Sequence, residues 1–275
     1  AGAAALPPHA VRLEGPWGRR LLLLPVLHGR LAGPGQSAEE AARAIRALAP
    51  RQVLVELCAR RYAEAQACAV LGLPPRPPPR LDILGNIDGG LLGHEMAPVL
   101  AAAREVGAAV TPVDRPRAAT RGRVAHRLWH PRLLQGLLNY GGLSMRLRRG
   151  GAPVDSEEMR RELEKHCPAA HQVLIEERAS YMDHQVRVAA ARGAEAVLVC
   201  GALHSAALAE LLQRDRPATS AADLAHLARR GLPVWPLYVL AYGVLPGAFL
   251  AYGAYCAWER FVAPSLDGGP GAEAD

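Results

Sequence analysis

Lysine is nearly missing from this chain. Of its 32 basic residues only Lys165 is not an arginine, so the net charge of +6 speaks as much of coding bias as of a binding surface. Aromatic residues are scarce at 5%, and none alternate with basic ones in the manner of a single-strand-binding surface. No nucleic-acid motif is present, so nucleic acid is not expected as a partner. The five cysteines are odd in number and contain no C-x-x-C pair, which argues against a disulfide scaffold or a structural zinc site and for a reducing compartment. There is no H-E-x-x-H, no P-loop spacing, no G-x-S-x-G and no G-x-G-x-x-G, which disfavours a zincin, a serine hydrolase and a dinucleotide enzyme. The opening Ala1-Gly-Ala-Ala-Ala-Leu-Pro-Pro8 has no basic-then-apolar signal pattern.

What is present is a half-hydrophobic chain of 275 residues, enough for one domain and an appendage. Its organising stretch is Ala196-Val-Leu-Val-Cys-Gly-Ala-Leu-His204, an apolar β-branched run followed by helical spacing through Leu212. The pattern is that of a buried strand, a tight turn at Gly201 and a helix. The same grammar recurs. Arg20–Leu27 ends in His28, Gln52–Val55 in Glu56, and Ala108–Val113 in Asp114. Each run is followed by a helical pattern. In a parallel sheet all four strands end on one edge, where open α/β folds bind ligands. His28, Glu56, Asp114 and His204 are therefore expected to converge. The simpler alternative is that strand ends carry polar residues because they meet solvent.

The intervening segments supply helices. Ser37-Ala-Glu-Glu40 is a capping box for a helix ending before Pro50. A second helix covers 59–71, opened by Arg60 and Arg61, and Pro74–Arg80 is a proline-rich spacer. Gly89–Met96 starts a third helix reaching about Val106. Glu95 near that start either faces the strand edge or simply offsets the helix dipole. After Asp114-Arg115-Pro116 no acid occurs until Asp155, while eight arginines do. That stretch is either a solvated helical lid or a membrane-surface element. A charged helix begins at Ser156, and a long helix covers 169–192. On it Glu177 and Tyr181 share a face beside Arg178, a constellation that equally fits a surface ion pair of small worth.

From Gly231 to Trp258 there is no charged residue, and Leu237–Trp258 alone matches the ~20 residues that span a bilayer. Trp235, Tyr238, Tyr255 and Trp258 lie toward its ends, as interface aromatics do. The expected organisation is an irregular arm over 1–19, an α/β domain over 20–230, a membrane anchor helix over 231–261 and a polar tail over 262–275. The fold class is α/β, with a mainly parallel central sheet flanked by helices and a C-terminal transmembrane helix. The anchor would make the lipid bilayer a partner and keep the globular domain in the cytosol.

Two imidazoles and a carboxylate are a usual ligand set for a catalytic divalent ion, here manganese, cobalt or zinc on His28, Glu56 and His204. Glu95 or Asp114 would then act as general base or orient a histidine, with Glu56 also a candidate for that work. Arg60, Arg115 or Arg178 would hold an anionic group.

At these positions the chain resembles the TraB/PrgY (pheromone-shutdown) family, which is related to the Tiki metalloproteases and the erythromycin esterases. Val53-Leu-Val-Glu56-Leu-Cys-Ala-Arg60 is similar to its strand-glutamate-arginine motif. Gly93-His-Glu95-Met96 resembles its Gly-x-Glu-Met helix start, and Val113-Asp114-Arg115-Pro116 its Asp-Arg motif. Glu177-Arg178-Ala-Ser-Tyr181-Met182 resembles its Glu-Arg-Asp-x-Tyr-Met segment, with Ala179 in place of the aspartate. Gly201-Ala-Leu-His204 is like the superfamily's second Gly-x-x-His motif, whereas the first reads Pro25-Val-Leu-His28. The resemblance covers about 20–212 and implies a metal-dependent, peptidase-like hydrolase. It also implies orienting or substrate-binding roles for Arg60, Arg115, Glu177, Arg178 and Tyr181. With the anchor, it implies the mitochondrial outer membrane or, alternatively, endoplasmic reticulum contacts. The alternative function is a non-catalytic adaptor or tether at such a membrane, binding a protein partner rather than a peptide substrate.

Overall fold

The computed structural model describes residues 6–14, 20–27, 37–71, 96–128, 156–190, 195–229, 239 and 243–258. The chain forms two compact units, Ala1–Leu232 and Pro233–Asp275.

The first unit is built on a five-stranded sheet. Its strands are β1 (Val11–Glu14), β2 (Arg20–Val26), β3 (Gln52–Val55), β4 (Ala109–Pro112) and β5 (Glu195–Gly201), in the order β1-β2-β5-β3-β4. Only the β1–β2 pairing is antiparallel; β2–β5, β5–β3 and β3–β4 are parallel. The strands read as unbroken apolar runs because both faces are covered. Leu24, Val26, Val53, Val55, Val197 and Val199 pack on one face, against Ala41, Ala42 and Ile45 of helix α1 (Ala38–Leu48) and Val99 and Ala102 of α3 (Ala97–Glu105). The alternate residues Leu21, Leu23, Leu54, Leu198 and Cys200 pack on the other face. There they meet Met182 and Val186 of α7 (Glu177–Ala190) and Leu208 and Leu212 of α8 (Ala202–Leu212). Burying a Leu or Val side chain is worth about 1.5–3 kcal/mol, so these two layers hold the sheet edge still.

Local signals set the helix ends. Ser37 Oγ accepts from the Glu40 amide at 3.2 Å while the Ser37 amide donates to Glu40 Oε2 at 3.0 Å, closing the capping box. The other end of α1 is strained: Ala49 has φ 43°, a left-handed conformation forced on a residue that precedes Pro50. Helix α2 (Ala59–Leu71) follows β3, and α4 (Arg117–Leu128) follows β4. Helix α5 is Ser156–His166 and α9 is Ala221–Ala228.

The long helix expected over 169–192 is present as an unbroken run over 168–190 that carries a π turn near its start. A short α6 (Pro168–His171) leads into a π turn (Gln172–Glu176), and α7 begins only at Glu177. A π turn inserts a residue into the helical ladder and is frequent at functional sites. Here the Val173 carbonyl accepts a hydrogen bond from a buried arginine, Arg115.

The second unit corrects the sequence expectation. In place of a transmembrane helix through 231–261 the described chain has α10, Leu245–Ala257, of 13 residues. At 1.5 Å per residue it is about 20 Å long, short of the ~30 Å apolar layer of a bilayer. Pro246 occupies its first turn, where a missing amide donor suits a helix start and not a helix interior. Among the described residues no helix is long and apolar enough to cross a membrane. Hydropathy registered the uncharged run but not the length of the helix within it.

Candidate active site

The parallel strands deliver Glu56, Asp114 and Gly201 to one edge of the sheet, because β3, β4 and β5 end side by side. The Glu56 amide continues the ladder by donating to the Val199 carbonyl at 3.0 Å, and the Asp114 amide donates to the Leu57 carbonyl at 3.2 Å. Backbone bonds thus fix both carboxylates before any side-chain contact is counted.

Glu56 is buried and saturated with donors. Its Oε2 accepts from the Gly201 amide at 2.5 Å and its Oε1 from Arg178 Nη2 at 2.5 Å. His204, in the first turn of α8, turns Nε2 toward the same Oε1 at 3.4 Å. Arg178 also grips Asp114, with Nε to Oδ1 at 3.2 Å and Nη2 to Oδ2 at 2.8 Å. One guanidinium therefore ties the ends of β3 and β4 together, and the Arg115 amide holds Asp114 Oδ1 from the other side at 2.8 Å.

Arg115 is wholly buried, and all three of its guanidinium nitrogens are engaged. Nε donates to Thr120 Oγ1 at 2.9 Å, Nη1 to Glu177 Oε2 at 2.9 Å and Nη2 to the Val173 carbonyl at 2.6 Å. Glu177 takes a second, bidentate grip from Arg123, at 2.6 and 2.8 Å. Burial opposes ionisation of Glu177, but hydrogen bonds from Arg123 and Arg115 outweigh it and hold its carboxyl below the ordinary value. Burial lowers the Arg115 pKa against the pull of Glu177. Burial, then the charge of Asp114, raises the Tyr181 phenol. Burial, reinforced by Glu56, pushes the Cys200 thiol well up, which leaves it a packing residue and not a nucleophile.

The structure thus brings together Glu56, Asp114, Arg115, Glu177, Arg178, Tyr181 and His204. Arg60 stands apart: its Nε is tied to Glu64 at 2.8 Å on the exposed side of α2. His28 and Glu95 lie outside the described residues. Sequence reasoning missed Arg123, Thr120 and the Gly201 amide. A signal for Arg123 existed. It sits in the stretch without acids that follows Asp114, so its carboxylate partner had to come from far along the chain.

The expected divalent ion can be tested against these donors. Among the described residues no group of three His, Cys, Asp or Glu is disposed to hold a metal. His28 of the expected ligand set lies outside the described residues, and Glu56 already takes a guanidinium nitrogen at 2.5 Å on Oε1 and the Gly201 amide on Oε2. Its contacts instead suit a carboxylate that orients an imidazole. No known family matches the chain, and no curated protein matches it.

Proposed function

We propose that this chain is a TraB-like hydrolase acting on an acyl substrate such as a peptide, with His204 as general base and Glu56 as the carboxylate behind it. The observation that carries this reading is the contact of His204 Nε2 with Glu56 Oε1 at 3.4 Å, made by a Glu56 locked in place by Arg178 and the Gly201 amide. A carboxylate facing Nε2 orients the imidazole and stabilises the charge it gains on taking the proton of an attacking water. The water oxygen bonds to the acyl carbon, the imidazolium forms against Glu56, and the same proton passes to the leaving nitrogen as the acyl–nitrogen bond breaks. Further support comes from the blocks of the family resemblance: those around Glu56, Asp114, Glu177 and His204 meet at one edge although they are far apart in sequence.

The test is hydrolysis of a peptide and acyl-ester panel by the full chain, read by mass spectrometry with EDTA and with added manganese, cobalt or zinc. Wild type should turn over a panel member in EDTA. His204→Ala should lose about 100-fold or more, the usual worth of a general base, and Glu56→Gln should lose part of that. Turnover only with added metal would return Glu56 to the ligand role, and turnover indifferent to His204→Ala would end the proposal.

A second reading, a non-catalytic adaptor, is favoured by one feature. Helix α10 exposes Leu250, Tyr252, Tyr255 and Trp258, an uncharged surface suited to a protein partner. Partner recovery that survives Glu56→Gln with His204→Ala, but fails on substituting Leu250 and Trp258, supports it. Recovery lost with the first pair contradicts it.

A further inference from the structure

Helix α8 carries His204 in its first turn, and α7 grips it by polar bonds at both ends. At the N-terminal end the grip runs through Arg178, which donates to Glu56 Oε1, while Glu56 Oε2 takes the amide of Gly201, the N-cap of α8. At the C-terminal end the grip is Arg187. Its Nη2 donates to the Leu211 carbonyl in the last turn of α8 at 2.7 Å and to the Arg214 carbonyl just beyond it at 2.9 Å. That end of a helix dipole is negative and favours a cation. Arg187 is itself aimed by Asp183, one turn earlier on α7 and wholly buried. Asp183 Oδ1 accepts from Arg187 Nε at 2.7 Å, and Oδ2 accepts from the Ala218 amide at 3.0 Å. The spacings match: Arg178 and Arg187 are about 13.5 Å apart along α7, and Gly201 and Leu211 about 15 Å along α8, at 1.5 Å per residue.

Met182, Val186, Leu208 and Leu212 join the two helices in one apolar layer, and apolar contact has little directionality. A buried ion pair adds little net stability over an apolar pair; its best-attested use is register. Register matters here. A side-chain tip about 5–6 Å from a helix axis moves ~1 Å when the helix rolls by about 10°. His204 Nε2 stands 3.4 Å from Glu56 Oε1, so a further ångström ends that contact. We propose that Asp183 and Arg187 are positioning residues for His204: by fixing the roll of α8 from its far end, they hold the imidazole against Glu56. They act through the helix, with Leu211 about 10 Å along the axis from His204. The catalytic consequence rests on the hydrolase reading, where a misplacement of ~1 Å costs on the order of 100-fold. The placement of the imidazole rests on the His204–Glu56 contact alone.

The experiment reads the His204 ring nitrogens by NMR on the labelled full chain at pH 8, with melting temperature followed in parallel. Arg187→Gln should lower the ratio of Nε2-protonated to Nδ1-protonated His204 about ten-fold or more, the usual weight of one hydrogen bond to a charged group. Arg187→Lys keeps the charge but loses the planar fork, and should fall between. Asp183→Asn removes the charge that aims Arg187 and should act in the same direction. These two milder changes carry the test if Arg187→Gln does not fold. Ile45→Ala, in α1 on the opposite face of the sheet, should lower the melting temperature without moving the His204 signals. Where turnover is seen, Arg187→Gln should lower kcat and leave KM unchanged. His204 signals that ignore the Arg187 and Asp183 substitutions, or that move as far in Ile45→Ala, reduce the pair to a structural role and overturn the proposal. A wild-type His204 without the Nε2 preference also overturns it, since the Glu56 contact is then missing. Absent turnover from a His204 that still responds to Arg187 sinks the hydrolase reading alone, so the two fail separately.

Discussion

Replacing Arg178 by methionine removes the guanidinium that touches both Glu56 and Asp114 while keeping much of the volume. Three hydrogen bonds are lost, at 2.5, 2.8 and 3.2 Å, to carboxylates whose side chains are 3% and 6% exposed. At about 1.5–3 kcal/mol for a hydrogen bond to a charged group, a simple sum would reach about 4.5–9 kcal/mol, comparable with the whole stability of a marginal domain. Glu56 keeps the Gly201 amide and Asp114 keeps the Arg115 amide, so the loss should be closer to the ~3–5 kcal/mol typical of breaking a buried ion pair. For a unit of this size that is roughly 6–20 °C in melting temperature. The assay is urea unfolding and calorimetry of the full chain at pH 7. The triple variant Glu56→Gln, Asp114→Asn, Arg178→Met should recover most of the loss. A single-variant loss below about 1 kcal/mol, or a triple variant no better than the single, would refute the reasoning.

The same physics fixes other outcomes. Glu177 ionises below its ordinary value of 4.5 in the fold, so its contribution is complete above that pH and is lost as pH falls through the lowered value. Acid titration of Glu177→Gln by circular dichroism should therefore show a shallower loss of stability below about pH 4.5 than wild type. Ala49→Gly relieves the left-handed backbone at φ 43° and should raise stability by about 1 kcal/mol in urea. Leu54→Ala, at a wholly buried position of β3, should cost about 2–5 kcal/mol in the same assay.

The sheet was legible in the sequence because its strands are covered on both faces, which makes them continuous apolar runs ending in single polar residues. The capping box at Ser37 and Glu40 was legible because it is local chemistry. The π turn at Gln172–Glu176 was not, since its residues are compatible with an ordinary helix and the irregularity is tied to Arg115, 58 positions away. Arg60 and Arg61 look alike in sequence. Which one meets the strand edge depends on the rotation of α2, about 100° per residue, which only packing decides. Glu177 and Arg178 equally fitted an exposed pair, yet their partners are Arg115, Arg123, Glu56 and Asp114 from other elements. The uncharged C-terminal run was visible, but a proline fits both a kinked membrane helix and the first turn of a shorter one, and hydropathy does not distinguish them.

The most direct test of the proposed site is the tautomer of His204, read by long-range nitrogen–proton NMR on the labelled full chain at pH 8 and assigned with His204→Ala. Glu56 behind Nε2 predicts the Nε2-protonated form, and Glu56→Gln should shift that nitrogen. A His204 protonated on Nδ1, unmoved by the Glu56 substitution, would contradict it.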